Sequence, residues 1–129
     1  MPIEVSWGNP EQSIIISRFI EEWTLEDAHN MIDDMYSMTS AVNHIVHVVI
    51  DFTDSKSSPA KLLTAGTHIE KRSSPNTGIS IVVKANGFLK AMTQLITKMF
   101  VSDTKLYFVN RLDEAYQLVA QHEQSRVKS

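Results

Sequence analysis

The 129-residue chain contains no cysteine, which rules out disulfides, thiolate metal sites and a cysteine nucleophile together. A reducing, cytoplasmic location is the expectation that goes with this. No stretch approaches the roughly 18 uninterrupted apolar residues that a membrane span needs, and the opening MPIEVSWGNP has neither a basic nor an apolar leader segment. A soluble, unprocessed protein is therefore expected. Basic residues are scarce in the first part of the chain: up to Asp54 only Arg18 stands against ten acidic residues, a balance of −9. From Ser55 onward the balance is +6, giving the net −3. Such a split can steer a charged partner or favour contact between copies, although dispersal over solvated faces is the plainer reading. No basic face with interleaved aromatics is visible, so a nucleic-acid binder is not expected.

Catalytic signatures are also missing. The chain has no Gly-x-Gly-x-x-Gly, no phosphate loop ending in Gly-Lys-Ser/Thr and no Gly-x-Ser-x-Gly elbow. No cofactor is expected, and no nucleophile with a base can be named. His44 and His47 lie three apart at the mouth of a strand and point to opposite faces, so they read as structural or surface histidines rather than metal ligands. His29, His68 and His122 read as surface or boundary residues of helices. Adjacent Asp33 and Asp34 diverge on a helix, which suits a solvated face better than acid/base work.

What is present is a pattern of strands and helices. Ile45–Phe52, Ile79–Val83 and Leu106–Val109 are short β-branched and aromatic runs, and their continuous apolarity predicts burial on both faces in a parallel sheet centre. Each is followed by apolar residues at helical spacing: Leu62, Leu63, Gly66 and Ile69, then Phe88, Met92, Leu95, Ile96 and Met99, then Leu112, Ala115, Val119 and His122. Ser58 before Pro59, Asn86 before Gly87 and Asn110 before Asp113 are helix-start signals. Upstream, Ile3–Trp7 and Ser13–Ile20 read as a hairpin across Gly-Asn-Pro-Glu-Gln. Thr24 and Asp27 then resemble a capping box for a helix whose stripe includes Met31, Met35 and Met38, read as core.

The expected fold is one α/β domain over residues 1–122 with a polar, frayed tail at 123–129. Its N-terminal hairpin leads into alternating helices and strands that build a mixed sheet of four to five strands, with the three C-terminal strands parallel and central.

The element order, the stretch VVIDFTDS, the serine-rich turn after it and FVNRLDEAYQLV together resemble the STAS domain of anti-sigma-factor antagonists, closest to small stand-alone bacterial proteins of STAS/Sec14-like type. The resemblance covers nearly the whole chain. It implies a non-catalytic regulatory domain that binds a protein partner, switched by phosphorylation of a serine in an Asp-Ser-Ser-Gly-like turn. Here that turn is Asp54-Ser55-Lys56-Ser57-Ser58-Pro59, with proline where the glycine would be. Ser57 is the candidate phosphorylation site, because Ser58 is needed as an N-cap.

Independently of the resemblance, ligands of open parallel sheets bind beyond the carboxyl ends of the strands. Those ends carry Asp51, Thr53, Lys84, Asn86, Gly87, Asn110 and Arg111, and two open directly into helix N-termini able to receive an anion. A small lipid, nucleotide or phosphorylated metabolite is thus the alternative to a protein partner. An exposed edge strand in the hairpin and the charge split also raise the expectation of a homodimer.

Overall fold

The computed structural model describes residues 2–56, 75–84 and 106–128. Strands β1 (Ile3–Trp7) and β2 (Ile14–Glu21) pair antiparallel, with Ile3 opposite Phe19 and Trp7 opposite Ile15. The reversal between them is built on Asn9. Its Oδ1 accepts the N–H groups of Ser13 (3.0 Å) and Ile14 (3.2 Å), and its Nδ2 donates to Ser13 Oγ at 2.7 Å. Gln12 takes a left-handed φ of 58° to close the loop.

Helix α1 (Leu25–Ser40) starts at the capping box its sequence predicts. Thr24 Oγ1 accepts from Asp27 N–H at 3.1 Å, and Asp27 Oδ2 accepts from Thr24 N–H at 2.8 Å. Its other end is held by Asn76, whose Nδ2 donates to the carbonyls of Thr39 and His44, each at 2.9 Å.

Next come β3 (Val46–Ser55), β4 (Thr77–Val83), β5 (Leu106–Val109) and helix α2 (Leu112–Lys128). The helices expected after β3 and β4 fall outside the described residues. The five strands lie in the order β1-β2-β3-β4-β5, and every pair except β1·β2 is parallel. This is the mixed α/β sheet the sequence predicts, with two differences. The parallel set begins at β2, so β3 sits at the centre, whereas β5 ends the strand order among the described residues. The helix at the C-terminus does not stop at His122 but runs on through the polar segment to Lys128.

The two sheet faces are covered from opposite sides. On one, Ile3, Phe19, Phe52 and Val82 pack with Ala28, Met31 and Ile32 of α1 and with Trp23. Phe19 lies 4.7 Å from both Trp23 and Phe52 between ring centroids, contacts that add about 0.5–1.5 kcal/mol each to the burial. On the other, Ile14, Ile16, Val49, Ile79, Ile81 and Val83 meet Ala115 and Val119 of α2. Val48, Ile81 and Val83 are buried as expected, while Ile45, just before β3, Ile50 and Phe108 keep partial exposure. The methionine stripe is core on Met31, and the partly buried Met35 accepts the hydroxyl of buried Ser17 through sulfur at 3.2 Å.

Candidate functional site

The parallel register sends the carboxyl ends of β2, β3, β4 and β5 to one edge of the sheet. At that edge β3 runs three residues beyond Phe52, the expected end of the strand. A bulge makes this extension fit. Arg18 stands opposite Asp51 and Ile20 opposite Asp54, so β3 carries one more residue than β2 over this stretch. Asp51, buried inside β3, supplies the missing acceptor: its Oδ1 takes the Thr53 N–H at 2.9 Å and the Thr53 hydroxyl at 2.5 Å. Asp51 and Thr53 are therefore brought together, with Asp51 holding the backbone that presents exposed Thr53 and Asp54.

Beyond the bulge, side chains of β2 hold the end of β3. Arg18 Nη2 meets Asp54 Oδ2 at 2.7 Å, and Lys56 Nζ meets Glu21 Oε2 at 2.7 Å. The hydrogen bond to Asp54 raises the affinity of the Arg18 guanidinium for its proton, and that to Glu21 does the same for the Lys56 ammonium. The Lys56 N–H also bonds the Glu21 carbonyl at 2.7 Å, and buried Trp23 donates its Nε1–H to Ser55 Oγ at 2.9 Å. The result is a ledge of exposed polar groups on a pinned backbone.

Lys84 extends the same edge from the end of β4, exposed and in a left-handed φ of 59°, with its N–H bonded to the Val109 carbonyl at 2.9 Å. Glu21 at the end of β2 is also left-handed, with φ 54°. Such non-glycine conformations persist only where the surroundings hold them. Arg111, before α2, has its Nε 3.3 Å from Asp113 Oδ1 and 3.7 Å from Glu114 Oε1. Glu114 also accepts the Asn110 N–H at 3.3 Å. Two carboxylates thus already occupy the positive end of α2, which disfavours a further anion there. Ser57, Ser58, Asn86 and Gly87 lie outside the described residues.

Asp54 and Lys56 belong to the turn to which the sequence points, whereas Arg18 and Glu21 join the ledge without having been singled out. Their signal is the parallel pairing of β2 with β3, which a reading of β2 as a hairpin partner of β1 conceals.

The buried histidine belongs to the scaffold. His47 sits where β4 gains one residue on β3, between the pairs Val46–Thr77 and Val48–Ser80. Its Nδ1 accepts the Ile79 N–H at 3.0 Å, so the proton is on Nε2, which donates to Glu123 Oε1 at 2.5 Å. With both ring nitrogens engaged, His47 offers neither a ligand position nor a general base. Among the described residues no group of three His, Cys, Asp or Glu side chains could hold a metal ion. No helix among them is long and apolar enough to cross a membrane.

Comparison finds no matching family model, curated protein or solved structure. The functional reading is carried by the chain's own residues.

Proposed function

We propose that this chain is a non-catalytic, cytoplasmic regulatory domain of STAS-like type. It docks a protein partner through the ledge formed by the end of β3 and the segment that follows, and phosphorylation of Ser57 alters the docking. The observation that carries this reading is the extension of β3 to Ser55 on the Asp51–Thr53 bulge, with Asp54 and Lys56 gripped by Arg18 and Glu21. A surface that keeps its shape before the partner arrives loses less conformational freedom on binding. The ledge also leads directly into Ser57, so a phosphate there would add a charge of about −2 beside groups already fixed in place.

The alternative, a small anionic or lipid ligand at the strand ends, has exposed, left-handed Lys84 in its favour. Against it, the charge of Arg111 is met by Asp113 and Glu114.

Affinity capture from the native cell, with proteins and small molecules both identified by mass spectrometry, separates the two readings. The captured species is then titrated against wild type, Ser57→Asp and Lys84→Ala. A protein whose affinity changes with Ser57→Asp supports the regulatory domain. A retained small molecule that is lost with Lys84→Ala, while Ser57→Asp binds normally, transfers the function to the alternative.

A further inference from the structure

We propose that the outer edge of β1 is a self-association surface, pairing antiparallel with β1 of a second copy of this chain in a register centred on Val5. This does not depend on the docking ledge, since β2 separates β1 from β3. The phase of the ladder is the first observation. Gly8 N–H bonds Ile14 O and Ile20 N–H bonds Pro2 O, both at 2.7 Å. With Glu4 opposite Arg18 and Ser6 opposite Ile16, the even positions of β1 therefore direct their N–H and C=O groups toward β2. Ile3, Val5 and Trp7 turn theirs outward, and among the described residues no strand flanks them.

The second observation is the side-chain pattern. An antiparallel copy centred on Val5 places Val5 opposite Val5 and Ile3 opposite Trp7, so each outward-facing residue meets another and the ladder is used in full. The same register sets Glu4 opposite Ser6 on the solvent face, where both are exposed. A register centred on Glu4 would oppose two carboxylates directly and leave Trp7 unpaired. Glu4 is moreover balanced within its own chain by Arg18 across the β1·β2 ladder. Pro2 and Pro10 bound the strand, while between them stands no proline, lysine or bulge of the kind that blocks edge pairing. A register centred on Ser6 would pair Val5 with Trp7 but leave Ile3 opposite Asn9, outside the strand, so only the Val5-centred register pairs all three outward-facing residues, and this self-fit assigns the occupant as a second copy.

Two measurements on the full chain test the assignment. Sedimentation equilibrium should show a concentration-dependent dimer. Ser6→Glu, which opposes like charges at two symmetric places, should weaken it roughly tenfold, whereas Ser6→Lys, opposite Glu4, should tighten it. Since the chain has no cysteine of its own, a single thiol reports register. Val5→Cys should oxidise to a covalent dimer, the Cα separation of about 5.5 Å in such a pair being within disulfide reach. Ser37→Cys on the exposed side of α1 should not, and Ile3→Cys should cross-link only when mixed with Trp7→Cys. A chain monomeric at every concentration, a dimer indifferent to both Ser6 variants, or Val5→Cys cross-linking no faster than Ser37→Cys would overturn the proposal.

Discussion

Replacing Gly78 with alanine perturbs one point on which the sheet and the C-terminal helix both depend. A Cβ at this position would lie on the His47 imidazole, 2.5 Å from Cε1, and 2.8 Å from Ile45 Cγ2. Neither neighbour is the far end of a flexible chain: His47 is fully buried and bonded through both nitrogens. The ring must move, and with it go the bonds to Ile79 N–H and to Glu123. An orphaned buried N–H costs about 1–3 kcal/mol, and a hydrogen bond to a charged acceptor contributes about 1.5–3 kcal/mol. Against this, alanine restricts the unfolded chain and returns about 0.4–1 kcal/mol. The net expectation for Gly78→Ala is a loss of about 3 kcal/mol, which lowers the urea midpoint by about 2 M for a slope of about 1.5 kcal/mol/M. In a His47→Ala background the same substitution meets only the Ile45 methyl, so its cost should fall to about 1 kcal/mol or less, and the cycle should show coupling of about 2 kcal/mol or more. A Gly78→Ala midpoint equal to that of wild type would refute the argument that the bulge is closed by the His47 ring.

Glu123→Ala removes the acceptor of the buried His47 Nε2–H and should destabilise by about 1–3 kcal/mol in urea titrations; no loss would mean that the last turns of α2 contribute nothing to stability. Arg18→Met breaks an exposed pair with Asp54, half open to solvent on both sides. Its cost should stay below about 1 kcal/mol in thermal melts and shrink further in high salt. Lys56 holds its proton above the usual 10.5 because of Glu21. Its stabilising contribution is thus complete below about pH 10.5 and disappears as pH climbs through the raised folded-state value. Wild type should melt slightly above Lys56→Met at pH 8, and the two should converge in strong alkali.

Local chemistry made much of the fold readable. The Thr24–Asp27 box, the Gly-Asn-Pro-containing reversal and the apolar runs of β3, β4 and β5 each specify their element within a few residues, and the structure keeps them. What escaped depends on contacts distant in sequence. Asp54 and Ser55 have little strand preference, and they are strand because Asp51 feeds the bulge and the end of β2 pairs with them, Ile20 opposite Asp54 and Glu21 opposite Ser55. His47 reads as a structural or surface histidine, and only the residue that β4 gains at Gly78 shows why it is structural, since this opens room for the ring. The polar segment after His122 reads as tail because Glu123, charged on its own, finds its partner in His47, 76 positions away. In the candidate site, Asp51, Thr53, Lys84 and Arg111 were legible as strand-end residues. Asp54 and Lys56 were legible as part of the serine-rich turn, whereas Arg18 and Glu21 were not, because they join the ledge only through the register of β2 on β3.

The claim that the end of β3 is the docking surface is tested most directly by partner affinity after charge reversal at Lys56. This residue is largely exposed and touches the fold through Glu21 and its own backbone N–H, so Lys56→Glu should leave the monomer folded. Titration of the captured partner should show at least a tenfold loss of affinity for Lys56→Glu, with Glu26→Lys on the exposed side of α1 binding as wild type. Equal affinity for wild type and Lys56→Glu, or a loss confined to Glu26→Lys, would contradict the account and move the docking surface off the end of β3.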